Sequence, residues 1–196
     1  KPSPTLSLSA KAGQMKEAGI DVISFGVGEP DFNTPDYIKQ AAHKALDANF
    51  TRYTANAGIP DLKKAICAKL LRDNGLEYSP KDILVSPGAK ASIINILIAA
   101  CDTDDQVLIP SPYWVSYPYQ ALLADAVPVY ITTREEDAYK LRAEDLAAAI
   151  AASPCAKVLM LNSPNNPTGT VYTRDELSAI AELCVKHDIL VISDEI

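Results

Sequence analysis

From Asp82 to Asp194 the chain alternates short apolar, mostly β-branched runs with stretches of helical spacing. "DILVS" leads into "GAKASIINILIAAC", "QVLIP" into "WVSYPYQALLADA" and "VPVYITT" into "RAEDLAAAIAA". "KVLMLN" leads into "TRDELSAIAELCVKHD", and "ILVISD" closes the series. Apolar runs of this length, bounded by turn residues and separated by helices, predict a mostly parallel sheet covered on both faces. Pro118 predicts a kink or late start in the second helix. Thr173 and Glu176 have the spacing of a capping box. Upstream, "TLSLSAKAGQMKEAG" has helical spacing with a stop at Gly19, and "DVISF" reads as a short strand before a glycine-proline loop. Thr34 is the expected N-cap of the next helix, with Pro35 in its first turn and "DYIKQAAHKALD" as its body. "GIPDLKKAICAKLLRDNG" predicts a third helix, apolar at Leu62, Ile66 and Leu70 and closed by Gly75.

Composition narrows the function classes. The 18 basic and 25 acidic residues leave a formal charge of −7, and no basic cluster reverses it, which argues against a nucleic-acid partner. The four cysteines, Cys67, Cys101, Cys155 and Cys184, are widely spaced, with no CxxC and no paired His/Cys pattern, so no metal is expected. Most sit in apolar stretches, as small buried side chains do. No signal peptide opens the chain, and "IINILIAAC" is too short and too interrupted by Asn95 to span a bilayer. The expectation is a reduced, cytoplasmic protein with no membrane partner. His43 and His187 fall on helix surfaces away from any Ser or Cys, so no hydrolytic triad is indicated. "GVGEP" lacks the third glycine and the helix of a dinucleotide fingerprint.

In parallel sheets, ligands sit beyond the carboxyl ends of the strands. Pro87-Gly88-Ala89-Lys90 follows "ILVS" at a helix start, where unpaired N–H groups and the helix dipole suit a phosphate. The same glycine also serves an ordinary strand-to-helix turn. Trp114, the only tryptophan, follows "VLIP" and offers either a ring to stack on a heterocycle or a core aromatic. "SPNNPTG" follows "VLMLN" and offers the Asn166 amide, or simply a tight turn, although Asn162, Ser163 and Pro164 make it less generic. Asp194 ends "ILVIS", where a carboxylate is costly unless something pairs with it. Glu195 reads as a structural or rim residue.

Together the stretches "KPSPTLSLSAKA", "DVISFGVGEPDFNTP", "RYTANAGIPDLKKAI", "SPGAKASI", "IPSPYWVSYP", "LNSPNNPTGTVYTRDEL" and "HDILVISDEI" resemble the fold-type I pyridoxal 5′-phosphate enzymes. Within them they are most similar to class I aminotransferases of the bacterial aspartate aminotransferase-like branch. The resemblance implies an α/β three-layer sandwich of the PLP-dependent transferase type, with a mostly parallel sheet left incomplete on its C-terminal side. It assigns 1–35 to an N-terminal arm and part of a small domain, and 36–196 to the first half of a large cofactor-binding domain.

Residue by residue, it implies that Asp194 pairs with the pyridine nitrogen of pyridoxal 5′-phosphate. A carboxylate there keeps the nitrogen protonated and the ring an electron sink for charge at the substrate's α-carbon. Asn166 matches the asparagine on the ring's 3-oxygen, and Trp114 the aromatic stacked on the ring. Gly88, Ala89 and Lys90 match the phosphate-binding turn. Tyr53 matches a tyrosine that reaches the phosphate from a neighbouring subunit, which implies a homodimer with sites at its interface. Gly28 matches the glycine beside the substrate's α-carboxylate. Lys90 and Thr5 match positions associated with the distal carboxylate of an acidic substrate, although Ala91 stands where glutamine commonly follows that lysine.

The implied reaction moves an amino group between an acidic amino acid (aspartate or glutamate) and a 2-oxo acid, with prephenate a further candidate. The family's Schiff-base lysine follows the "SDEI" strand by several dozen residues, so this chain is expected to be an N-terminal half that is inactive alone. Two rival readings remain: a PLP-dependent β-lyase or synthase on the same fold, and a non-catalytic aminotransferase-like regulatory module.

Overall fold

The computed structural model describes residues 4–25, 28 and 30–195, with the side chains of residues 4–6 excepted. The chain divides into two compact units, Lys1–Tyr53 and Thr54–Ile196. The first holds helices α1 (Pro4–Glu17) and α2 (Asp36–Asp47). Gly19, at φ +78°, follows α1 as the sequence predicts, because a left-handed residue lets the chain leave a helix cheaply.

Two expectations here are corrected. "DVISF" forms no strand among the described residues. The cap of α2 is Pro35 rather than Thr34: the Ile38 and Lys39 N–H groups both bond to the Pro35 carbonyl. A residue preceding proline is pushed towards extended backbone, so Thr34 stays outside the helix.

The second unit contains α3 (Pro60–Lys69), α4 (Ala89–Ala100), β1 (Gln106–Ser111), α5 (Tyr117–Leu123), β2 (Val127–Thr132), α6 (Ala143–Ala152), β3 (Ala156–Asn162), α7 (Arg174–Lys186) and β4 (Leu190–Asp194). A wider helical turn, Leu70–Asn74, extends α3 to Gly75 at φ +67°. α5 starts late, with Pro118 accommodated in its first turn, where the missing N–H has no helical acceptor to lose.

The strands form one four-stranded sheet in the order β2-β1-β3-β4. All three pairings are parallel. The fifth expected strand, "DILVS", is absent. Its segment makes one backbone bond outside the adjoining turn, from Val85 N–H to the Ala57 carbonyl at 3.1 Å. An apolar run without a ladder neighbour cannot become a strand, however β-prone its residues are.

Alternation along each strand sends neighbouring side chains to opposite faces. Val107, Ile109, Val158, Met160 and Ile192 join Ile93 and Leu97 of α4 and Tyr117 and Ala121 of α5. Leu108, Ile131 and Leu159 join Leu146 of α6 and Ile180 and Cys184 of α7 on the other face. The inner strands β1 and β3 are buried on both faces, which explains why they read as continuous apolar runs rather than alternating ones.

From β1 the chain steps to β2 by way of α5, then returns past β1 to β3 and on to β4 by way of α6 and α7. Opposite steps require helices on opposite faces when crossovers keep one hand. The direction therefore reverses between β1 and β3, and the strand ends on either side of that point border a natural crevice.

α7 carries the predicted capping box. Glu176 N–H bonds to Thr173 Oγ1 at 3.3 Å, and Thr173 N–H bonds to Glu176 Oε2 at 2.6 Å. Lys140 Nζ also reaches Glu176 at 3.0 Å, tying the loop before α6 to the same cap. Thr173→Ala is expected to lower stability by about 1 kcal/mol. A urea titration showing no shift in midpoint would contradict this.

Candidate active site

The parallel ladder sets Asn162, the last residue of β3, opposite Asp194, the last residue of β4. The Asp194 carboxylate is half-buried at this carboxyl edge. Tyr117, 2% exposed at the start of α5, donates its hydroxyl to Asp194 Oδ2 at 2.6 Å. Burial, then the hydrogen bond to Asp194 and its charge, push the Tyr117 phenol far above the usual tyrosine range. The proton therefore stays on Tyr117, which is the donor of the pair. Asp194 Oδ1 takes no hydrogen bond from the described residues, so one carboxylate oxygen remains for a ligand.

Trp114 lies in the turn between β1 and α5, half-buried against the core. Its ring meets Tyr117 edge-on, with centroids 5.4 Å apart and planes at 82°. Lys90 Nζ stands 4.9 Å from the Trp114 centroid, within range of cation–π attraction. Gln120, 4% exposed, donates to the Lys90 carbonyl at 2.7 Å and so ties α5 to the first turn of α4. That turn begins at Gly88, whose φ of +85° suits a residue without a Cβ. The Ala89 and Lys90 N–H groups find no backbone acceptor among the described residues, and both residues are exposed. Bare N–H groups at a helix start suit an anion by their chemistry.

After β3, Asn166 lies exposed in the turn, and its N–H bonds to Asn162 Oδ1 at 2.7 Å. The turn holds itself through Gly169 N–H to the Asn165 carbonyl at 2.7 Å and Asn165 N–H to the Thr170 carbonyl at 2.9 Å. Asn165 Nδ2 donates to Thr168 Oγ1 at 2.7 Å and, at 3.4 Å, to the Pro112 carbonyl, across the crevice between the β3 and β1 turns. The peptides before Pro112, Pro164 and Pro167 are cis.

The strand ends and the start of α4 thus collect four predicted residues of the second unit, Lys90, Trp114, Asn166 and Asp194, through shared contacts, with Ala89 next to Lys90 in the chain. Gly88 shapes the turn before them. Gly28 and Tyr53 belong to the first unit, where Tyr53 is fully exposed, and the Thr5 side chain lies outside the described residues. Sequence reasoning missed Tyr117 and Gln120. Tyr117 stands three residues after Trp114, but a bond spanning 77 positions has no local signature.

Other nucleophiles are quiet. Burial first of all pushes the Cys101 and Cys184 thiols up, away from the thiolate form. His43 and His187 are exposed, as expected, and Glu195 accepts from Ser193 Oγ at the rim. Among the described residues no group of His, Cys, Asp and Glu is arranged to hold a metal, and no helix is long and apolar enough to cross a membrane.

Residues 20–196 match the family described as aminotransferase class I and II. The chain belongs to that family. A probable aspartate/prephenate aminotransferase of Aquifex aeolicus is 49% identical over 195 residues, covering 100% of this chain and 49% of the relative. The aspartate aminotransferase of Geobacillus stearothermophilus is 47% identical, again over 49% of its own length. The chain thus spans about half the length of the curated relatives it matches. Aspartate aminotransferase from Thermus thermophilus, solved with maleate, superposes with a TM-score of 0.95 at 42% identity, covering 100% of this chain and 51% of that one. The parallel sheet and its helical layers accordingly match part of the aspartate aminotransferase fold.

Proposed function

We propose that the complete protein carrying this chain is a PLP-dependent aminotransferase acting on aspartate or glutamate and a 2-oxo acid. The observation that carries the reading is Asp194: a strand-end carboxylate with one oxygen held by Tyr117 and the other open, in register with the Asn166 turn. The residues present suit pyridoxal 5′-phosphate by their chemistry: an acceptor for a protonated nitrogen, an exposed amide for an oxygen, a half-buried indole and a bare helix N-terminus. When bound, the cofactor supplies an electron sink for the electron pair left at the substrate's α-carbon.

Asp194 holds a proton at the ring nitrogen, and Tyr117 holds Asp194. Asn166 donates to the ring's 3-oxygen, Trp114 covers the ring face, and Gly88, Ala89 and Lys90 receive the phosphate through N–H groups and the α4 dipole. The Lys90 ammonium, 4.9 Å from the Trp114 centroid, meets a substrate's distal carboxylate; the family resemblance alone assigns Thr5 to the same carboxylate and Gly28 to the α-carboxylate. A flexible point charge suits one carboxylate oxygen. The dicarboxylate maleate in the Thermus relative supports the acidic substrate class.

Tyr53 serves the phosphate of a second copy in a homodimer. Its complete exposure supports that role. Residues 1–35 form the arm and part of the small domain, and 36–196 the first half of the large domain. The four unpaired cysteines support a reducing, cytoplasmic setting.

Incubating the complete protein with pyridoxal 5′-phosphate, aspartate and 2-oxoglutarate is expected to yield oxaloacetate and glutamate in equal amounts. Release of ammonia would instead indicate the lyase reading, and no turnover the regulatory one. The isolated 196-residue chain is expected to show no turnover and, after borohydride reduction, no single labelled lysine in its peptide map. A stoichiometric label on one lysine would overturn that.

A further inference from the structure

We propose that Asn162 is a positioning residue that registers the Asn166 amide against the Asp194 carboxylate. Its side chain, in a residue 7% exposed, is used at both ends. Oδ1 accepts from Asn166 N–H at 2.7 Å, and Nδ2 donates to the Asp194 carbonyl at 2.8 Å. Rotating the amide by half a turn would set two donors against each other at one end and two acceptors at the other. The two bonds together therefore select one orientation.

Substitution defeats the arrangement in distinct ways. Aspartate keeps the acceptor but turns an anion towards the Asp194 carbonyl. Alanine and leucine offer neither group, and glutamine is one methylene too long for the same span. Asparagine is the shortest side chain that carries both functions.

The backbone on either side of this amide has other bonds. The Asp194 carbonyl already receives the Ser163 N–H at 3.2 Å, and the turn closes through its own Asn165, Gly169 and Thr170 bonds. What Asn162 adds is a link from the first atom of Asn166 to the residue 32 positions away from Asn162 that bears the carboxylate. On the proposed reading, Asn166 and Asp194 grip one planar ring at two atoms. A grip at two points works only when the spacing between them is set.

The inference rests on that reading and is tested in the complete protein. Pyridoxal 5′-phosphate affinity and the pH midpoint of the bound cofactor's visible absorbance are measured for wild type, Asn162→Ala, Asn166→Ala and the double variant. Asn162→Ala is expected to weaken affinity about tenfold, the scale of one buried hydrogen bond left unmade. It is also expected to move the pH midpoint. Asn166→Ala should cost less in the Asn162→Ala background than in wild type, because the two act as one unit. Asn162→Asp should behave like Asn162→Ala.

Additive losses with an unmoved midpoint, or unchanged affinity in Asn162→Ala, would overturn the assignment. Should Asn162→Ala unfold, the same readings on Asn162→Ser decide it. Failure of wild type to take up the cofactor would sink the functional reading itself, and this inference with it.

Discussion

Asp194→Ala in the complete protein is expected to lower kcat/KM for aspartate by about 10²- to 10⁴-fold, corresponding to the roughly 3–5 kcal/mol lost when one member of a desolvated charge pair is removed. Under the proposed function, Asp194 keeps a proton on the cofactor's ring nitrogen, and a neutral ring drains charge from the substrate poorly. The same substitution strands the Tyr117 hydroxyl, which is 2% exposed as a residue and gives its only hydrogen bond among the described residues to Asp194. Stability should therefore fall by about 1–3 kcal/mol as well. Adding Tyr117→Phe removes the stranded donor while keeping the ring that packs beside Trp114, so the double variant should regain most of the stability and none of the rate. Steady-state kinetics and thermal melts on the two variants separate the effects. An Asp194→Ala protein turning over within tenfold of wild type would refute the role given to this carboxylate.

The largest loss of stability is expected from Leu108→Ala. Leu108 is fully buried on β1, one of the two inner strands. It stands opposite Val129 on β2 and Leu159 on β3, in a row that continues from Leu159 to Val191 on β4. Leu146 from α6 and Ile180 from α7 belong to the same cluster. Backbone ladders on both sides fix the strand, so the neighbours cannot collapse into the vacated space. About 2–5 kcal/mol should be lost, near the upper end where a site relaxes least. Leu123→Ala, at a position 72% exposed, should change stability by no more than about 0.5 kcal/mol. Urea unfolding of the two variants checks the contrast, and similar midpoints would contradict the packing argument.

Much of this architecture was legible in the one-dimensional pattern, for reasons particular residues show. Thr173 and Glu176 bond to each other's backbone three residues apart, so the α7 cap is a local event written locally. Gly19 and Gly75 end helices through left-handed backbone that glycine adopts freely. β1 and β3 are buried on both faces, and their unbroken apolar runs announce it. "DILVS" and "DVISF" misled because a strand requires a neighbour at hydrogen-bonding distance, and composition records the preference without recording the neighbour.

The site divides along the same line. The residue types at the strand ends, and the rule that parallel sheets gather ligands there, point to Gly88, Ala89, Lys90, Trp114, Asn166 and Asp194 from the sequence. Tyr117 beneath Asp194, Gln120 against Lys90 and Asn162 between Asn166 and Asp194 came from the folded arrangement alone. Caps, turns and apolar periodicity are set by residues within a few positions of each other, and a linear reading sees that far. Which hydroxyl or amide reaches which carboxylate depends on strand register and on where a helix crosses the sheet. Those are properties of elements dozens of residues apart, and packing settles them.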